Sequence, residues 1–264
     1  MKNKTKLIDY IQTLRRKGRY LFLKEEAGQA LELTNTAVLN SIHRLANKGK
    51  IAHLKKGLYQ IITEEYANDG SLPPEWFIDD LMAHLQVPYY VSLLTAASLH
   101  GSSHQAPQIF QVICGKVIPP LTVGSVKIVF YYSKDMGNIL TQKIKVPSGY
   151  MNVSTPEGTA FDLMRYLCQS GHLNHVATVL SELTEVMNAG KLALVGDRLS
   201  VRYGQRLGYI LDELGFEELT KPLYEVISKK PQTYILLRSD TDNQITDKNQ
   251  KWRIQVNETL EIDI

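Results

Sequence analysis

Residues 33–62 constrain the fold of this chain more than any other stretch. Val38, Ile42, Leu45 and Ala46 recur at 3.6-residue spacing, so the spacing predicts one helix over 34–48 with a single narrow buried stripe. Thr34 is a good N-cap, Lys48 places a cation in the last turn and Gly49 ends the helix. The opposite face carries Asn35, Thr36, Asn40, Ser41, His43, Arg44 and Asn47 without a carboxylate. Two β-prone runs follow, 50–54 and 58–62, separated by Lys55-Lys56-Gly57. A glycine there allows a tight hairpin with both lysines held out at its tip.

Two shorter helical stripes precede this stretch. Leu7, Ile8, Ile11 and Leu14 predict a helix over 3–17 that Gly18 stops, and Leu23, Ala27, Ala30 and Leu31 predict a second. Tyr20-Leu21-Phe22 reads as a short extended entry to it. The order helix, helix, polar helix, basic hairpin is that of a winged helix-turn-helix, whose last helix enters the major groove of DNA. An ordinary surface helix and hairpin of another fold is the competing interpretation.

Charge separates the chain in the same place. Residues 1–62 hold 13 Lys and Arg against 4 Asp and Glu, and the remaining residues hold 17 against 23. A basic head suits a polyanion, and a mildly acidic body suits protein or small-molecule contacts. The 264 residues predict about two domains. Two cysteines, Cys114 and Cys168, form no CxxC pair and fit a reducing cytoplasm. No signal-peptide core or membrane-length apolar run is present.

The expected architecture is α+β: a winged helix-turn-helix over 1–63, a linker over 64–74 and a larger mixed α/β domain over 75–264. The linker, rich in Asp, Asn, Gly and Pro, reads as a connector outside the core. Beyond it, Pro73-Pro74 opens a helix through Leu85, and Ser92 caps an alanine-rich helix ending at His100-Gly101. Strands are predicted over 109–114, 126–132, 143–146 and 150–153. Ser154 and Glu157 have capping-box spacing for a helix carrying Phe161, Met164, Leu167 and Cys168. Helical stripes follow at Leu173–Met187, Leu207–Leu214 and Leu219–Leu223, then strands over 233–237 and 252–256 flanking a polar loop.

The candidate DNA contacts are Thr34, Asn35, Thr36, Asn40, Ser41 and Arg44 on the helix and Lys55 and Lys56 on the hairpin. Asparagine pairs with adenine through two hydrogen bonds, and arginine meets guanine or phosphate. Solubility of the hairpin is the alternative role for the lysines. Arg15, Arg16, Lys17 and Arg19 read as solvated charge. His100/His104 and His172/His175 have helical metal-ligand spacing but no evident third ligand. Asp79-Asp80 point apart on a helix, and Glu157 near Asp162 is explained by capping. No nucleophile elbow, Walker loop or dinucleotide fingerprint occurs, so no catalytic residue, metal or cofactor is expected. Arg198, Arg202 and Arg206, four apart, line one face if they share a helix.

Four segments together resemble the AbiEi-type antitoxins of type IV toxin–antitoxin systems. They are the basic hairpin ending in Gly57-Leu58-Tyr59, the run from Tyr90 to Gly101 followed by Gln105, Pro107 and Gln111-Val112-Ile113, the helix start Val153 to Asp162, and Lys251 to Asn257. In order they span most of 5–257. Gly158 departs from the pattern, since relatives usually carry arginine there. The resemblance implies a repressor that binds inverted repeats in the promoter of its own operon. It also implies opposition to a nucleotidyltransferase-type toxin, without requiring a stable complex. Two other readings stay open: a winged-helix regulator whose second domain senses a ligand or oligomerises, and an enzyme with a DNA-binding appendage.

Overall fold

The computed structural model describes residues 6–102, 107–239, 241 and 244–260. His104 and Gln105, named above, lie outside them. The chain is a mixed α+β protein that packs as two compact units, each assembled from several segments. One unit joins residues 1–89 to 108–132 and 143–152, and the other joins 90–107 to 133–142 and 153–264.

The first unit begins with α1 (Leu7–Arg16), β1 (Leu21–Leu23), α2 (Lys24–Ala30), α3 (Asn35–Ala46), β2 (Ile51–Lys55) and β3 (Leu58–Ile61). Leu7, Ile11 and Leu14 of α1 and Val38 and Ile42 of α3 meet Phe22, Ala27, Ile51 and Ile61 in one core. Burying each large side chain contributes on the order of 1.5–3 kcal/mol, which holds these short helices together. The strands lie in the order β1-β3-β2, both pairs antiparallel, with Phe22 and His53 opposite Tyr59. The extended entry expected at 20–22 is therefore a third strand of the hairpin's sheet. Its short length hid it, and the 5.7 Å stack of Phe22 on Tyr59 fixes it.

The stretch 63–74 differs from the connector expected of it. Gln60 is fully buried, and its Oε1 accepts from Ser71 Oγ at 3.0 Å and Leu72 N–H at 3.4 Å. Leu72 is itself fully buried. A buried carbonyl oxygen demands donors, and here one isolated Ser-Leu pair supplies them without any periodic pattern, while among the described residues the Gln60 Nε2 finds no acceptor. A 3₁₀ turn at Pro74–Trp76 precedes α4 (Ile78–Leu85), and Tyr20 and Tyr66 both pack on Trp76. Phe77 and Leu81 face inward with Ile78 and Met82, while Trp76 is only half-buried.

Next come β4 (Tyr89–Val91), α5 (Leu93–Leu99), β5 (Phe110–Cys114), β6 (Leu121–Val123), β7 (Val126–Tyr132), β8 (Thr141–Val146) and β9 (Gly149–Ser154). Their pairing is mixed. In the first unit β5 runs parallel to β7 and β6 antiparallel to it. In the second, Val91 pairs with Val153 in parallel.

The rest of the second unit holds α6 (Pro156–Arg165), α7 (His172–Leu183), α8 (Ala189–Arg198), α9 (Val201–Glu213) and α10 (Glu217–Ser228). A small sheet closes it, in the order β10 (Ile235–Leu236), β12 (Ile254–Val256), β11 (Asp247–Asn249). Besides the short strands β4 and β6, two elements were not expected: β11, whose Asp-Lys-Asn has no strand signal, and α8, whose stripe is interrupted by Gly190 and Gly196. Trp252 locks the small sheet to α9. Its ring is fully buried, its Nε1 donates to Asp212 at 2.6 Å and its carbonyl accepts from Gln205 at 2.9 Å. A Cβ at Gly208 would stand 2.3 Å from that ring, so only glycine fits beneath it. Among the described residues no helix is long and apolar enough to cross a membrane.

Candidate nucleic-acid interface

Helix α3 turns Val38 and Ile42 inward, which leaves Thr36, Asn40, His43 and Asn47 exposed along one stripe. Asn35 is exposed beside them in the first turn, which holds no acid. Thr34 is already engaged, since its Oγ1 caps the helix by accepting from Ala37 N–H at 3.3 Å. Ser41 and Arg44 flank the stripe rather than crown it. The Arg44 guanidinium folds back, with Nε donating to the Asn40 carbonyl at 3.2 Å and Nη2 to Ser41 Oγ at 3.1 Å. His43 and Asn47 were not among the candidate contacts. The same helical period that selected Thr36 and Asn40 reaches both of them.

The hairpin turn is less free than its sequence implied. Lys56 is exposed, but Lys55 ends β2 and is half-buried. Gly57, at φ +77°, gives its carbonyl to Lys24 N–H at 2.8 Å, which ties the turn to the start of α2. Glu25 lies close by: a Cβ on Gly57 would stand 3.4 Å from its carboxylate. Around α3, Arg15, Arg16, Lys17, Lys48 and Lys50 are exposed. Arg19 is already spent on Glu26 through two parallel contacts of 2.8 and 3.0 Å. That fork holds the Glu26 carboxyl below its usual range.

The second unit has a buried polar network of its own. Asp162, with no exposed surface, accepts from Ser92 Oγ at 2.9 Å and from Arg165 Nη1 at 3.0 Å. Arg165 also donates to Ser133 at 3.1 Å. Ser154 Oγ continues the network to Ser92 at 3.2 Å and Thr159 at 2.7 Å. Burial pushes the Asp162 carboxyl up to about 6, outweighing the lowering by Arg165, Ser92 and Tyr90.

Several local expectations change here. Ser92 begins α5 but spends its hydroxyl on Asp162, and the side chain capping α6 is Thr155, not Ser154. Glu157 is buried and reaches across to Asn188 N–H at 2.8 Å instead of closing a capping box. His100 is the C-cap residue of α5, its ring Nε2 meets the Ser154 carbonyl at 2.8 Å, and burial lowers its pKa. A Cβ at Gly158 would come 2.8 Å from both the Leu140 carbonyl and Ile139 Cγ2, so an arginine at this position does not fit this backbone. Arg198 ends α8 while Arg202 and Arg206 lie on α9, so the three do not share a helix face. Cys168 is exposed in a 3₁₀ turn beyond α6. Among the described residues no group of three His, Cys, Asp or Glu side chains is placed to hold a metal.

The span containing this network, residues 90–213, matches the family model of the AbiEi antitoxin C-terminal domain. Residues 90–213 carry an AbiEi antitoxin C-terminal domain. That AbiEi domain includes Ser92, Ser154, Asp162 and Arg165 and reaches the last residue of α9. A comparison with curated proteins gives no sequence match. Among solved structures, the Rv2827c protein from Mycobacterium tuberculosis is similar over 94% of this chain and 89% of its own, with TM-score 0.64 and 13% identity. At that identity the similarity concerns the fold alone. An antigenic nucleotidyltransferase-like protein from Paracoccidioides brasiliensis aligns with 55% of this chain and 88% of its own, at TM-score 0.39 and 9% identity. That value is too low to support an argument.

Proposed function

We propose that the chain is a DNA-binding transcriptional autorepressor and the antitoxin of a type IV toxin–antitoxin pair. Residues 1–63 act as a winged helix-turn-helix, joined through 64–74 to an antitoxin part over 75–264. The observation that carries the DNA reading is the outer face of α3. Thr36, Asn40, His43 and Asn47 are exposed together on a helix without a carboxylate, inside the basic first 62 residues of the chain. Such a face approaches phosphates without repulsion and offers amides to base edges. In this reading Asn35, Thr36 and Asn40 meet the major groove, and Arg44, Lys55 and Lys56 meet phosphates. The AbiEi domain at 90–213 supports the antitoxin role, with a nucleotidyltransferase-type toxin as the opposed protein. Two free cysteines and no disulfide among the described residues agree with a cytoplasmic site of action.

The test is fluorescence anisotropy of the full chain with duplex from upstream of its own coding region and with a scrambled duplex, over a salt series. Binding that weakens steeply with salt and prefers the upstream duplex is expected. Replacing Lys55 and Lys56 with alanine should lower the salt slope by up to about two units, at about 0.9 per phosphate contact. Asn40→Ala should lose about 1–3 kcal/mol of sequence preference while keeping general affinity. No salt-sensitive binding to either duplex ends the repressor reading. Co-expression that leaves growth arrest by a neighbouring toxin unrelieved ends the antitoxin reading.

A further inference from the structure

A groove of about 490 Å³ opens between the N-terminus of α1 and the flank of α3. Its volume lies in the range of small-molecule sites. Leu7, Ile8, Leu33 and Leu45 line it. Leu7 belongs to the core beneath, while Ile8, Leu33 and Leu45 pack on that core and stay only partly covered. Lys6, Arg44 and Lys48 stand among them, and among the described residues no carboxylate lines the groove. Three cations around an apolar floor set out the two halves of one ligand chemistry.

We propose that this groove binds a small amphiphilic carboxylate. Its hydrocarbon part lies on Ile8, Leu33 and Leu45, and its carboxylate meets Arg44, Lys48 and Lys6. The alkyl part removes exposed apolar surface from water, and the charge-assisted contacts set its direction. A cationic amphiphile is repelled by the rim, and a neutral one leaves it unpaired. Arg44 both lines the groove and flanks the outward stripe of α3, so an occupied groove withdraws a phosphate-contacting group. This consequence rests on the DNA reading above, whereas binding of the ligand does not.

The full chain is titrated with decanoate by calorimetry, with decanol and decyltrimethylammonium as controls. Saturable binding of decanoate that neither control reproduces is expected. Ile8→Gln should abolish it, with Leu33→Gln as a second variant; far-UV circular dichroism and duplex affinity report whether each remains folded. Lys6→Gln, on an exposed side chain, should weaken binding about two- to five-fold, the range for a solvent-screened ion pair. Absent or non-saturable binding, equal binding of decanol, or full binding by a folded Ile8→Gln protein overturns the proposal. Decanoate should also weaken upstream-duplex affinity in wild type but not in Ile8→Gln. If no duplex binds at all, the DNA reading fails while the calorimetric result still decides the site.

Discussion

Asp162 sits wholly buried in the AbiEi domain, and replacing it by asparagine tests what that burial does to stability. Its folded pKa is raised to about 6 because lost hydration outweighs the Arg165 guanidinium 3.0 Å away. In an unfolded chain an aspartate titrates near about 3.9. The folded protein therefore keeps a proton that the unfolded chain releases. Stability from this group is fully present below about pH 4 and is lost as pH rises through about 6. A displacement of about two units corresponds to about 3 kcal/mol. Asp162→Asn supplies an uncharged amide that does not titrate, so it removes this pH dependence. In urea unfolding from about pH 4.5 to about 7.5, the variant should gain about 2 kcal/mol on wild type, the remainder of the change lying below that range. Any fixed offset from asparagine's different hydrogen bonds leaves this trend untouched. A constant gap, or one that moves toward wild type as pH rises, means that the ion pair and not desolvation governs Asp162.

Gly208→Ala places a methyl 2.3 Å from the Trp252 ring and should destabilise the second unit by about 1–3 kcal/mol, read as a lower urea midpoint. Gly158→Arg forces a Cβ against the Leu140 carbonyl and should cost at least about 1 kcal/mol. Equal stability there shows that residues 139–140 yield easily and that the glycine is not required. Thr34→Ala removes the cap of α3 and should cost about 1 kcal/mol, with faster amide exchange in its first turn. Unchanged exchange at Ala37 shows that the Thr34 hydroxyl does not hold that end.

The helices of residues 7–46 were legible because each shows one apolar stripe, and Gly18 and Gly49 mark where the first and third stop. The same periodicity exposed the polar face of α3, though not which of its residues stay free. Arg44 looked like an outward cation, yet it donates to Asn40 and Ser41 within its own helix. Lys55 looked solvent-held, yet the turn is pinned by Lys24 and sits beside Glu25. These contacts join residues far apart in sequence or compete with solvent, and no spacing rule encodes either. The polar network escaped for a related reason: Ser92 and Asp162 lie 70 positions apart.

By itself the order of residues determined the division between a basic head and an acidic body, the amphipathic helices and the hairpin, and the likeness of 90–213 to AbiEi antitoxins. Those properties depend on local period and composition, which a one-dimensional chain carries in full. Tertiary structure alone decided that Gln60 draws Ser71 and Leu72 into the interior, that Gly158 has no room for a side chain, and that Asp162 titrates high. Each depends on which distant atoms exclude water or occupy space at one point, and only the folded chain places them.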